Sequence, residues 1–169
     1  MRAPIVTGGL LAATVAVLVL LNAALELKLE HLVLAGVLTG AVVALVPDRS
    51  IAARLGGFAA GVLAAWIGFL LRAGMLPDSD GGLAVSFAVT AVLCVVVVLL
   101  ARGRVALWAV LLGAGAFAGV YETTFAGAPP EVVRTSVDAV TALAITVVVG
   151  FLVASAAPTT RRPAGTPTA

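Results

Sequence analysis

Six long apolar stretches occupy most of this 169-residue chain, and nearly all of its charged residues lie in the short segments between them. An α-helix rises about 1.5 Å per residue, so about 20 residues cross the roughly 30 Å hydrocarbon layer of a bilayer. The pattern therefore predicts an all-α, polytopic membrane protein with six transmembrane helices in antiparallel hairpins. The predicted spans are Ile5 to Leu25, Leu32 to Val46, Leu55 to Leu76, Leu83 to Ala101, Val105 to Phe125 and Val137 to Ala157.

The composition excludes a water-soluble globular protein. Hydrophobic residues make up 62% of the chain and charged residues 11%, whereas a soluble domain carries about 25% charged residues. The second stretch, Leu32 to Val46, is shorter than the others, so it crosses only with the help of interfacial residues or where the bilayer is thin. A chain with five spans, in which this segment is re-entrant, is the alternative.

The distribution of charge predicts the orientation, because lysine and arginine are retained on the cytoplasmic side in short loops. With the N-terminus inside, the inner segments contain seven basic residues and one acidic residue, Asp48. The outer segments contain three basic and seven acidic residues. The inner basic residues are Arg2, Arg49, Arg54, Arg102, Arg104, Arg161 and Arg162. We therefore expect both termini to be cytoplasmic.

The remaining composition bears on location and partners. Arginine greatly outnumbers lysine, and alanine, glycine and valine are abundant, which is typical of a GC-rich bacterial genome and indicates the inner cell membrane. The sequence pI is about 9.3, but the basic residues are scattered between spans and form no stripe that follows a phosphate backbone. We therefore expect the lipid bilayer as a partner, and no nucleic acid.

Residues 1–157 are predicted to form one transmembrane helical domain, and residues 158–169 a disordered cytoplasmic tail that is rich in proline and threonine. A weak echo with a period of about 53 residues aligns Arg49 with Arg102. Three tandem helical hairpins would produce this spacing. So would the need of each hairpin for an arginine on the inside, and the sequence leaves both explanations open.

Glycine pairs with GxxxG spacing mark the helices expected to pack closely. Helices in lipid associate where small residues allow their backbones to approach. The second, third and fifth spans are therefore predicted to make tight contacts, with an intermolecular role as the alternative. The predicted packing residues are Gly36, Gly40, Gly57, Gly61, Gly115 and Gly119.

Polar residues near the outer ends of the helices form the candidate site. Arg72, Glu122 and Asp138 lie within one or two turns of the predicted outer interface, and Tyr121 is the only tyrosine. We expect Glu122 and Arg72 to pair across facing helix ends, and Arg134 to pair with both Glu131 and Asp138. A structural ion pair at the rim is the favoured interpretation, and a proton or solute site is the alternative.

The chain lacks the motifs of an enzyme or a metalloprotein. It has no Gly-x-Ser-x-Gly, HExxH or phosphate-binding glycine loop with lysine. His31 is the only histidine and Cys94 the only cysteine, so neither a metal cluster nor a disulfide within the chain is expected. We therefore predict no catalytic residues, no metal and no cofactor.

Two functions are consistent with these features. The first is a non-enzymatic accessory or scaffold subunit of a membrane assembly, with a protein partner or a second copy of the chain beside it. The alternative is a small oligomeric channel or transporter for a neutral or apolar solute, in which Thr39, Thr90 and Thr141 line the path. Co-purification in a fixed ratio favours the first, and stabilisation by a solute favours the second.

Overall fold

A computed structural model of the chain describes residues 2–24, 30–77 and 79–157, without the side chains of residues 2–4, 30 and 31. These residues form six α-helices and one 3₁₀ helix: α1 (Arg2–Ala24), α2 (Glu30–Leu45), α3 (Ile51–Met75), α4 (Asp80–Leu100), α5 (Leu107–Gly127), the 3₁₀ helix Pro129–Glu131 and α6 (Val132–Ala156). All except α2 contribute a segment long and apolar enough to cross a bilayer; the apolar part of α2, Leu32–Leu45, is shorter. The predicted tail, residues 158–169, and the side chain of His31 lie outside this description.

The helix boundaries follow from local capping chemistry. Ser50 accepts a hydrogen bond from the backbone N–H of Ala53 and caps α3, and Ser79 accepts one from Gly82 and caps α4. A side-chain oxygen at this position satisfies a backbone donor that the first helical turn leaves free.

The closest helix pairs are not the predicted hairpins. Consecutive helices are in contact, but the most extensive contacts join α2 to α6 and α3 to α5. Gly57 faces Ala109 and Gly61 faces Val110 and Ala114, so residue numbers rise together along the two helices and the pair is parallel. Helices α2, α3, α5 and α6 form the centre of the bundle, while α1 lies on α2 and α6, and α4 lies on α3 and α5.

Glycine allows both parallel pairs to approach at backbone distance. A Cβ on Gly61 would collide with the carbonyl oxygen of Val110, and a Cβ on Gly113 would collide with that of Phe58. The second pair repeats this arrangement: Gly40 lies against the carbonyl of Val147, and Gly150 against that of Val37. In each pair, the glycine of one helix contacts a carbonyl oxygen of the other helix, three residues before that helix's own glycine. No larger residue fits at these four glycine positions.

The predicted packing glycines fall into two groups. Gly36 lies against the side chain of Thr146, Gly40 and Gly61 lie against backbone, and a Cβ on Gly57 would lie 3.1 Å from that of Ala109. The structure differs for the other two positions, because a Cβ on Gly115 or Gly119 would meet no atom within 4 Å.

The correction for α5 has a geometric cause. Successive residues turn by about 100° around a helix axis, so Gly115 lies about 200° from Gly113. Gly113 lies on the face of α5 that packs on α3, while Gly115 and Gly119 are exposed. The GxxxG spacing selected the correct helix but the wrong face.

Candidate functional site at the Arg72–Glu122 ion pair

Arg72 and Glu122 form an ion pair between α3 and α5. The Nη1 atom of Arg72 donates a hydrogen bond of 2.6 Å to Oε1 of Glu122. Arg72 lies in the last turn of α3, and Glu122 lies near the C-terminal end of the parallel helix α5, so the parallel packing of the two helices brings both residues to the same end of the bundle. The side chains are 11% and 32% exposed, so water screens the pair only partly.

An aromatic cluster lies beneath the ion pair. Phe117, Tyr121 and Phe125 follow one another at intervals of four residues on α5 and therefore share one face. Phe69 of α3 packs against all three, with ring centroids 5.0 to 5.9 Å apart. The guanidinium of Arg72 lies 4.9 Å from the centroid of Phe125, a cation–π geometry that holds the arginine in place for Glu122.

Tyr121 connects this cluster to α6. Its ring is fully buried, and its hydroxyl lies 3.0 Å from the carbonyl oxygen of Val132 and 2.6 Å from Oγ1 of Thr135. The Thr135 hydroxyl donates to the carbonyl of Glu131, so the single proton of the Tyr121 hydroxyl is shared between the Val132 carbonyl and Oγ1 of Thr135. Tyr121 therefore fixes the start of α6 against α5.

Asp138 does not join the site. Arg134 pairs with Glu131 at 2.6 Å, but Asp138 is exposed and makes no ion pair with any residue in the described part of the chain. The prediction that Arg134 pairs with both acids is therefore corrected to Glu131 alone. The structure brings together Arg72, Glu122 and Tyr121, with Tyr121 one layer below the charged groups.

Glu122 keeps one carboxylate oxygen without a hydrogen bond. Its Oε2 atom is buried and has no partner among the described residues, while Oε1 accepts from Arg72. A buried acceptor without a partner is costly, so a hydrogen-bond donor at that oxygen would be stabilising. The described residues contain no group of three His, Cys, Asp or Glu side chains close enough to hold a metal ion.

A second buried cation, Arg54, was not anticipated as part of the interior. It was predicted as a cytoplasmic loop residue but is 6% exposed. Its Nη1 atom donates to the carbonyl oxygens of Val43, Ala44 and Val46 at 2.5 to 3.1 Å. These carbonyls lie at the C-terminal end of α2, where a helix leaves backbone acceptors free and favours a cation. The helical spacing of the sequence could have indicated this burial, because Arg54 lies on the same face of α3 as Gly57 and Gly61.

Asn22 is buried although it lies near the end of α1, since its side chain is only 3% exposed. Its burial places a polar group inside the contact between α1 and the rest of the bundle, where α1 otherwise presents mainly exposed apolar residues.

The loops at the other end of the bundle are joined by side-chain hydrogen bonds. The indole Nε1 of Trp108 donates to Oδ2 of Asp48 at 2.7 Å, and Arg49 donates to the carbonyl of Gly103. The loop between α2 and α3 is thus tied to the loop between α4 and α5, opposite the end that carries Arg72 and Glu122.

Comparison of the chain with protein-family models, curated proteins and solved structures finds no match.

Proposed function

We propose that this protein is a multispan protein of the inner cell membrane, with both termini cytoplasmic, that serves as a non-enzymatic accessory or scaffold subunit of a membrane assembly. The observation that carries this proposal is the exposed glycine pair Gly115 and Gly119 on α5. Within the bundle, glycines at this spacing lie against a neighbouring helix. On the outer face of α5 the same spacing is present and no helix of the described chain covers it.

The surroundings of the pair suit a helix from a partner. A groove of about 270 Å³ lies beside Gly115 between α4 and α5, with Phe87, Thr90 and Ala118 among its lining residues. In lipid, apolar side chains alone give helices little reason to associate, and small residues that permit close packing supply much of the contact. The exposed pair therefore marks a surface for a transmembrane helix of another protein or of a second copy.

The test is purification from membranes in mild detergent, with mass identification of the proteins that remain bound. We expect one polypeptide, or a second copy of the chain, in a fixed ratio. The variant Gly115→Leu/Gly119→Leu should lose that partner and keep its melting temperature. Gly56→Leu is the matched control, because Gly56 is also helical with no atom near its Cβ position. A monomer free of partners, or a partner that the double variant retains, contradicts the proposal.

The alternative function, a small oligomeric channel or transporter for a neutral or apolar solute, rests on the free oxygen of Glu122. A polar solute group or a proton would satisfy that oxygen. The hydroxyls of Thr39, Thr90 and Thr141 each donate to the carbonyl four residues earlier. In a path for a solute, these hydroxyls could therefore only accept hydrogen bonds. Stabilisation of the purified protein by a solute, lost in Glu122→Gln, supports this alternative.

A further inference from the structure

We propose that a groove between α3 and α6 binds one acyl chain of an anionic phospholipid from the leaflet on the arginine-rich side. The groove lies between residues 55–63 of α3 and 140–148 of α6 and encloses about 350 Å³. All ten of its lining residues are apolar. This inference rests on the membrane insertion proposed above and is independent of the role as a subunit.

The floor and the rims of the groove differ in exposure. Its floor is formed by the buried side chains of Phe58, Val62, Leu143 and Val147. Its rims carry the exposed residues Ala59, Leu63, Ala144 and Val148, of which the two alanines leave it open toward the side. An occupant therefore enters from the lipid phase and contacts only hydrocarbon.

The length of the groove selects an acyl chain over a helix of a partner protein. Residues 55–63 extend over about 12 Å of helix at a rise of 1.5 Å per residue. One leaflet contributes about half of the roughly 30 Å hydrocarbon layer, so the groove matches the depth of one leaflet. Just beyond it the gap is bridged, because the indole Nε1 of Trp66 donates to Oγ of Ser136 at 2.9 Å. A transmembrane helix would need a surface that continues past this bridge.

The arginines at the end of the bundle where α3 begins select the head group. The groove begins at Leu55, one turn after the first residue of α3, Ile51. The loop that precedes Ile51 carries the exposed residue Arg49. Arg102 and Arg104 are exposed in the loop that Arg49 contacts. The acid at this end, Asp48, accepts a hydrogen bond from Trp108. A surface with this excess of arginine attracts anionic head groups.

Photocrosslinking tests the site. The full chain is reconstituted in phosphatidylcholine vesicles that contain a small fraction of phosphatidylglycerol with a diazirine in one acyl chain. We expect crosslinks in residues 55–63 and 140–148, and competition by unlabelled phosphatidylglycerol but not by further phosphatidylcholine. Crosslinks spread over the lipid-facing surfaces of α1 and α4, or equal competition by both lipids, overturn the proposal. Failure of the chain to enter the vesicles would instead overturn membrane insertion.

A variant that fills the groove supplies the second measurement. Ala59→Leu/Ala144→Leu adds bulk at two exposed rim positions, so the fold should persist while the acyl chain is excluded. Loss of about two buried methylene groups should weaken phosphatidylglycerol crosslinking about tenfold. Ala88→Leu, on an exposed face of α4 outside the groove, is the control and should leave crosslinking unchanged. Undiminished crosslinking in the double variant rejects the groove as the site.

Discussion

At the scale of single residues, the structure separates charges that are held by the fold from charges that are only exposed at its ends. Arg72 is fixed by Glu122 and by the ring of Phe125, and Arg54 by three carbonyls of α2. Buried arginine is tolerated where several acceptors compensate its lost hydration. The guanidinium group suits both places because it offers five donors in a fixed plane.

The first prediction concerns the Arg72–Glu122 pair. Glu122→Gln should lower the free energy of unfolding by about 1 to 3 kcal/mol, the usual contribution of a hydrogen bond to a charged group. Arg72→Gln should cost more in the native protein, because it leaves the carboxylate without its cation and removes the contact with Phe125. In the Glu122→Gln background it should cost little more than that contact, so that a double-mutant cycle shows coupling.

Chemical denaturation in detergent micelles measures this cycle, and Asp138→Asn is the control. Asp138 is an exposed carboxylate without an ion pair in the described structure, so its replacement should change stability by less than about 0.5 kcal/mol. Additive effects of the two site substitutions would contradict a structural pair. Unchanged or higher stability of Glu122→Gln, together with lost transport or solute binding, would indicate the alternative function.

At the scale of the helices, close packing is confined to one face of each central helix. The faces meet in two parallel pairs, α2 with α6 and α3 with α5, and glycine stands opposite a backbone carbonyl in each. Helices α1 and α4 show a much smaller share of buried residues in their apolar windows than α3, α5 and α6. The four central helices therefore carry the stability of the bundle, and α1 and α4 cover its sides.

The second prediction compares two glycines of similar sequence context. Gly61→Leu should destabilise the protein strongly, because its Cβ would overlap the carbonyl of Val110 and force α3 from α5. Overpacking of this kind costs about 1 to 3 kcal/mol or more. Gly115→Leu should leave the melting temperature of the detergent-purified monomer unchanged or raise it, since leucine favours the helix over glycine. Equal destabilisation by both substitutions would contradict the packing described here.

At the scale of the whole molecule, the two ends of the bundle differ in chemistry. One end carries the ion pair Arg72–Glu122 and the 3₁₀ helix Pro129–Glu131 that leads into α6. The other carries Arg49, Arg54, Arg102 and Arg104, with two loops joined through Trp108 and Gly103. Arginine in short loops favours the cytoplasmic side, which is the basis for the proposed orientation.

The third prediction tests that orientation by labelling single cysteines in a Cys94→Ala background. Gly81→Cys lies at an exposed position in the first turn of α4 and leaves the Ser79 cap intact. Arg104→Cys lies in the exposed loop before α5. A thiol reagent that does not cross membranes should label Gly81→Cys in intact spheroplasts and Arg104→Cys only after lysis. Labelling of both from one side would mean an even number of crossings between them, and would contradict the single crossing by α4 and the proposed topology.

The sequence by itself determined the helical class, the number of helices and, to within two residues, their C-terminal ends. Hydropathy acts over one or two turns, so the ends of an apolar run can be recognised without knowledge of the fold. The pairing of Arg72 with Glu122 was also within reach, because both lie at the same predicted depth in the membrane. Depth follows from position along a span, and needs no knowledge of which helices are neighbours.

The tertiary structure alone decided which helices pair and which faces they use. In lipid the outer and inner faces of a helix are both apolar, so the contrast that marks the buried face of a soluble helix is missing. That is why the GxxxG spacing could not separate Gly113 from Gly115, and why Arg54 was placed in a loop. Asp138 shares the depth of Glu122 but points away from it, because rotation about the helix axis is set by packing.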